Sequence, residues 1–136
     1  MVDDARALLE QAVKGKSDEE ILAFVEMFGG TQPALDTIFE GMKSALDPAK
    51  AQDCVVGYEI ADDGTTHSYT VTVAGGAASW EKREPSDARV TLGMTLADFL
   101  RVIARDLDGT QAFMAGKIKI KGDMMFATQV PQMFGL

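Results

Sequence analysis

Apolar residues recur along this chain at two spacings, helical at both ends and alternating in the middle. Between residues 3 and 14, Ala5, Leu8, Leu9, Ala12 and Val13 fall at helical spacing, with acids in front, Lys14 at the end and Gly15 as a stop. Ser17-Asp-Glu-Glu20 reads as a capping box that opens a second helix, with Ile21, Leu22, Val25 and Phe28 on one stripe. Thr31 and Pro33 open a third, whose apolar face is Leu35, Ile38, Phe39, Met42 and Leu46 and which Asp47-Pro48 ends. Period two then takes over. Val56, Tyr58 and Ile60 alternate with Val55, Gly57 and Glu59. After the turn Asp62-Asp63-Gly64, His67, Tyr69, Val71 and Val73 alternate with Thr66, Ser68, Thr70 and Thr72. Gly75-Gly76 leads into a short strand with Trp80, and beyond Pro85-Ser86-Asp87 the residues Ala88, Val90, Leu92 and Met94 alternate with Arg89 and Thr91. The pattern predicts an antiparallel meander, apolar on one face and polar on the other.

Helical spacing returns at Thr95, which with Asp98 caps a helix whose face is Leu96, Phe99, Leu100, Ile103 and Leu107. A helical turn carrying Phe113 and Met114 follows. Between Gly116 and Gly122, lysine and isoleucine alternate strictly, which puts Ile118 and Ile120 on one face of a last strand and Lys117, Lys119 and Lys121 on the other. Asp123 is placed to cap a last helix containing Met124, Met125, Phe126, Val130, Met133 and Phe134, which Pro131 kinks or breaks. That helix is expected to serve as a lid or end wall.

The run Gly116-Lys-Ile-Lys-Ile-Lys-Gly-Asp-Met-Met125 resembles the C-terminal signature of the sterol carrier protein type 2 domain. Met94-Thr-Leu-Ala-Asp-Phe-Leu100 is similar to that family's penultimate helix start, and Asp108-Gly-Thr-Gln-Ala-Phe-Met114 to its short helix before the last strand. A looser match in strand pattern runs back to about Thr31, leaving residues 1–28 as a helical extension outside the match. The resemblance implies a small α/β domain of α+β type: a mostly antiparallel, twisted five-stranded sheet covered by helices on one face. It also implies an apolar tunnel between the two layers that takes fatty acids, acyl thioesters, sterols or phospholipids. Within that expectation the ligand-binding candidates are Phe39, Met42, Phe99, Ile103, Phe113, Met114, Ile118, Ile120, Met124, Met125, Phe126, Val130, Met133 and Phe134. The eight methionines support the reading. Four of them fall in the last quarter beside Phe113, Phe126 and Phe134, and unbranched polarizable side chains repack around guests of different shape.

Composition narrows the classes. At 136 residues the chain is expected to form one domain. Its net charge of −8 disfavours nucleic acid and, at long range, anionic lipid. The lysine row is the local exception. It reads first as solvation of an edge strand, with a transient membrane or enzyme contact as the second reading. Cys54 is the one cysteine, so no internal disulfide forms. The acidic start Met-Val-Asp-Asp is unlike a secretion signal, the end Met133-Phe-Gly-Leu136 lacks a peroxisomal address, and no apolar run has membrane-spanning length, so the expected location is the cytoplasm. The first helix also lacks the basic amphipathic character of a membrane-docking helix.

No catalytic constellation emerges. His67 is the single histidine and sits in the middle of an alternating strand. The acids are scattered over helix starts and turns rather than clustered at metal-ligand spacing, and Gly116-Lys117 lacks the pattern of a phosphate loop. Cys54 has no basic neighbour in sequence to lower its pKa. Trp80 reads as a strand tryptophan with one wet edge. The expectation is a binding module with neither cofactor nor metal, no nucleic-acid partner and no enzymatic activity. Three alternatives stand beside lipid carriage. They are a subunit presenting a lipophilic intermediate to enzymes, a thioesterase or isomerase using Asp98 or Asp106, and a structural interaction domain whose core is filled by its own side chains.

Overall fold

The computed structural model describes residues 9–27 and 29–134. The expected first helix is seen as helical residues 9–13, and its earlier part and Phe28 lie outside the described residues. Helix α1 (Asp18–Met27) starts on the capping box: the Glu20 amide donates to Ser17 Oγ and the Ser17 amide to Glu20 Oε1, both at 3.2 Å. Helix α2 (Thr31–Ala45) follows, and then the strands β1 (Cys54–Asp62), β2 (Thr65–Ala74), β3 (Ala77–Glu81) and β4 (Val90–Thr95). Helices α3 (Leu96–Ile103) and α4 (Gly109–Met114), strand β5 (Lys119–Gly122), and the single-turn helices α5 (Met124–Ala127) and α6 (Val130–Met133) complete the chain.

The five strands form one sheet in the order β3-β2-β1-β4-β5. Three of its four pairings are antiparallel, and β1 with β4 is parallel. This corrects the expected meander. Alternation assigns each residue to a face of the sheet, and a slip of one residue would reverse every assignment, but it carries nothing about strand direction. Direction is decided by residues 82–89, which carry the chain from the β3 edge across β1 to its free side. Their path crosses the face away from the helices. The buried Thr70 hydroxyl donates to Arg83 O at 3.1 Å, and the Arg89 amide donates to Val55 O at 2.8 Å. Gly57 makes room for the crossing, since a Cβ there would stand 2.5 Å from Cβ and Cγ of Pro85.

On the helix side, Tyr69, Tyr58, Leu92 and Ile120 stand in one register row across four strands. The two halves of that row have different covers. Over Tyr69 and Tyr58, Phe39 from α2 stacks on Tyr69 with centroids 4.2 Å apart, and Phe99 and Trp80 close around it. This half is solid. Over Leu92 and Ile120 lie α3 to α6, whose short helices leave space. Helices 9–13 and α1 join the same core through Val13, Ile21 and Val25. Arg101 of α3 ties them down, donating to Lys16 O at 3.2 Å while pairing with Asp18 and Asp98.

The last helix is split at Thr128-Gln129. Pro131 sits in the first turn of the second piece, where its missing N–H costs no helical hydrogen bond.

Candidate functional site: an apolar cavity under the C-terminal helices

The space between β1-β4-β5 and helices α3 to α6 is a cavity of about 380 Å³. Its floor is Tyr58, Leu92, Met94 and Ile120, and its walls include Met42, Phe99, Val102 and Ile103 on one side and Ile118, Val130 and Phe134 on the other. Phe113 and Met124, 37% and 50% exposed, line it at the solvent side and so mark a mouth. The polar lining is peripheral: Arg105, Asp108, Thr110, Thr128 and Gln132, each exposed at the surface.

Local chemistry builds the frame. Thr95 Oγ1 accepts from the Asp98 amide at 3.2 Å and starts α3, which carries Phe99 and Ile103 into the wall. Asp108 Oδ1 accepts from the amides of Thr110 and Gln111, at 2.8 and 3.1 Å, and starts α4. Asp123 does the same for α5 by accepting from the Phe126 amide at 2.9 Å, and its other oxygen accepts from Arg89 Nε at 3.1 Å. The Phe126 amide and the Arg89 guanidinium hold the Asp123 carboxyl below its usual pKa. Arg89 also lies 4.0 Å over the Phe126 ring. Gly122 is required at that junction. Its φ is +103°, and a Cβ would stand 2.5 Å from Arg89 O. The alternating lysine–isoleucine strand thus ends where the chain must turn sharply into α5.

Of the residues expected to contact a ligand, Met42, Phe99, Ile103, Phe113, Ile118, Ile120, Met124, Val130 and Phe134 line the cavity. Five do not. Phe39, Phe126 and Met133 are each 1% exposed but fill core elsewhere: Phe39 in the aromatic stack, Phe126 beneath Arg89, and Met133 where its carbonyl accepts from the Asp47 amide at 2.8 Å. Met114 and Met125, each 81% exposed, point into solvent because the short helices α4 and α5 turn them away from the space that Phe113 and Met124 enter. Apolar character along a four- to six-residue helix does not tell which side is inside.

Tyr58, Leu92 and Met94 belong to the lining and were not singled out. Their inward strand positions were legible in the alternation, and which inward positions meet a void was not. Burial pushes the Tyr58 hydroxyl's pKa up, so it stays a protonated donor. Asp98 and Asp106 are not in the lining, and Asp98 is paired with Arg101 at 2.9 Å. Asp108 is in the lining, with its Oδ1 engaged in capping α4.

Residues 35–135 match the SCP-2 sterol transfer family. The chain belongs to that family. Its function is therefore the one the family is known for, binding and carrying lipids, and the resemblance read at residues 94–125 falls inside the matched region. Among curated relatives, hydroxysteroid dehydrogenase-like protein 2 of Pongo abelii is 36% identical over 104 residues, which is 74% of this chain and 24% of the relative. The chain thus spans about a quarter of the length of the curated relatives it matches. Among solved structures, palmitated SCP2L2 from Aedes aegypti superposes with a TM-score of 0.62 at 21% identity over 75% of this chain and 95% of that one. The sec-alkylsulfatase Pisa1 from Pseudomonas superposes at 0.64 with 23% identity, over 80% of this chain and 17% of its own. At those identities the two structures speak for the fold.

Proposed function

We propose that the cavity under α4 holds the hydrocarbon part of a lipid, with the lipid's polar end at the rim formed by Arg105, Thr110, Thr128 and Gln132. The observation that carries this is the division of the lining: aliphatic and aromatic side chains inside, and polar groups at the surface end. A volume of about 380 Å³ lies in the range of small-molecule sites. Burial of each methylene contributes about 0.8 kcal/mol, so a chain is held mainly by length and shape. Single-chain lipids suit such a space, and the palmitate carried by the Aedes aegypti relative points the same way. The chemistry is passive, and we assign this chain no catalytic step.

The test is a series of fatty acids of increasing length titrated into delipidated protein. Affinity should rise about fourfold per methylene and then level off once the cavity is full. Affinity independent of chain length, or no saturable binding by fatty acids, acyl thioesters or sterols, removes the reading.

A second reading is that the cavity presents its lipid to a catalytic unit. The observation in its favour is that comparable stretches form 24% of a dehydrogenase-like protein and 17% of a sulfatase chain. It predicts that a ligand loaded on this chain reaches such an enzyme faster than the same ligand free in solution.

A further inference from the structure

Among the described residues, the cavity has one polar side chain that does not belong to its surface end. Arg105, Asp108, Thr110, Thr128 and Gln132 are exposed, whereas Tyr58, in the middle of β1, is only 4% exposed. The other tyrosine of the same register row shows how a buried phenol is ordinarily satisfied. The Tyr69 hydroxyl accepts from Gln32 Nε2 at 2.7 Å and donates to Asp36 Oδ1 at 2.9 Å. The Tyr58 hydroxyl has no hydrogen-bond partner among the described residues. Every side-chain nitrogen or oxygen sealed off among those residues does have a partner, so the Tyr58 hydroxyl is not sealed off and opens on the space its residue lines. Phe39 and Phe99 hold its ring, with centroids 5.4 and 6.0 Å away. Burial keeps the phenol protonated, so it is an uncharged donor. The mouth residues Phe113 and Met124 flank β5 in sequence, and Tyr58 stands two strands further in, about 10 Å at the spacing of neighbouring strands.

We propose that the Tyr58 hydroxyl selects single-chain lipids that carry a neutral oxygen acceptor, a ketone or a hydroxyl, on the buried part of the chain. The proposal rests on the lipid-binding reading and names which lipids that site prefers. The phenol donates its O–H to the ligand's oxygen. Water filling the empty cavity can serve the phenol as well. A plain hydrocarbon chain expels that water and leaves the hydroxyl without a partner, whereas an oxygen placed against it restores the hydrogen bond. A carboxylate is a poor occupant of this place, because no buried cation lines the cavity among the described residues and a desolvated charge needs one. The acid end therefore stays at the rim, and the preferred oxygen lies deeper along the chain.

The test uses oxo fatty acids of one chain length, with the ketone moved stepwise from the carboxyl end to the tail, alongside the unsubstituted acid. Wild-type protein should favour a ketone at one or two adjacent interior positions, by about fivefold over a ketone elsewhere. Tyr58→Phe keeps the ring and its aromatic contacts. It should abolish that preference while binding the unsubstituted acid at least as well as the wild type does. Tyr69→Phe, whose hydroxyl lies outside the cavity, should leave the preference intact. Tyr58→Phe should also melt no lower than the wild type, because no internal hydrogen bond is lost. Absence of a positional preference in the wild type, or a preference that survives Tyr58→Phe, overturns the proposal. A clear drop in the melting temperature of Tyr58→Phe assigns the hydroxyl a partner within the protein and also overturns it. Failure of the wild type to bind any acid of the series counts against the cavity reading itself, whereas binding of the unsubstituted acid without a positional preference counts against this inference alone.

Discussion

The ring of Phe39 lies on that of Tyr69, with centroids 4.2 Å apart and the planes within 16° of parallel. Phe39 also meets Tyr58, Trp80 and Phe99 at 5.4, 6.1 and 5.6 Å. Phe39, one of the residues expected to contact a ligand, stands at the centre of this aromatic stack. Phe39→Ala should therefore lower stability by about 3–5 kcal/mol, read by urea denaturation. A loss below about 1 kcal/mol would mean that the stack collapses freely and is not the fixed wall against which the cavity is built.

Tyr69 also connects this stack to a charge. Its hydroxyl donates to Asp36 Oδ1 at 2.9 Å and accepts from Gln32 Nε2 at 2.7 Å, while Lys82 Nζ pairs with Asp36 Oδ2 at 2.8 Å. Partial burial works to raise the Asp36 pKa, but the hydrogen bonds from Lys82, Tyr69 and Gln32 outweigh it and leave the carboxyl below its usual 3.8. A depressed folded pKa means that the unfolded chain binds the proton more tightly. The stabilisation is complete above the ordinary value and is lost as pH falls below it toward the folded one. Thermal unfolding in this acid range should show stability falling with pH, and Asp36→Asn should flatten that slope. A variant with an unchanged slope assigns the acid sensitivity to other carboxylates.

Gly57 and Pro85 set the crossing that makes β4 parallel to β1. Gly57→Ala should cost about 1–3 kcal/mol by overpacking, because the new methyl meets Pro85 and Thr91 Oγ1. Pro85→Gly in the same chain should recover part of that loss. If Gly57→Ala is neutral in calorimetry, residues 82–89 do not press on the sheet.

Ile118 is 7% exposed and lines the cavity from the residue just before the last strand. Ile118→Trp should occupy ligand volume and weaken fatty-acid affinity about tenfold, equivalent to 1.4 kcal/mol. Its circular dichroism should match the wild type. Unaltered affinity in a folded variant would place the ligand elsewhere.

Much of this protein was legible in its order of residues because the signals concerned are local. The Ser17–Glu20 capping box, the Thr95 and Asp123 caps and the glycine that ends the last strand are each decided within a few positions, and they formed where they were read. The alternation at Lys117–Lys121 likewise separated the face of Ile118 and Ile120 from that of the lysines, since a pleated strand leaves no other choice. Tertiary structure decided the rest. Whether β4 runs parallel or antiparallel depends on a crossing over Gly57, a contact between residues 28 positions apart. Which buried side chains face a void and which face each other depends on how short helices sit on the sheet. Phe39 and Phe99 are equally apolar and equally buried, yet only Phe99 reaches the cavity. Met124 and Met125 are neighbours of identical chemistry, and one turn of helix puts the first at the mouth and the second in solvent.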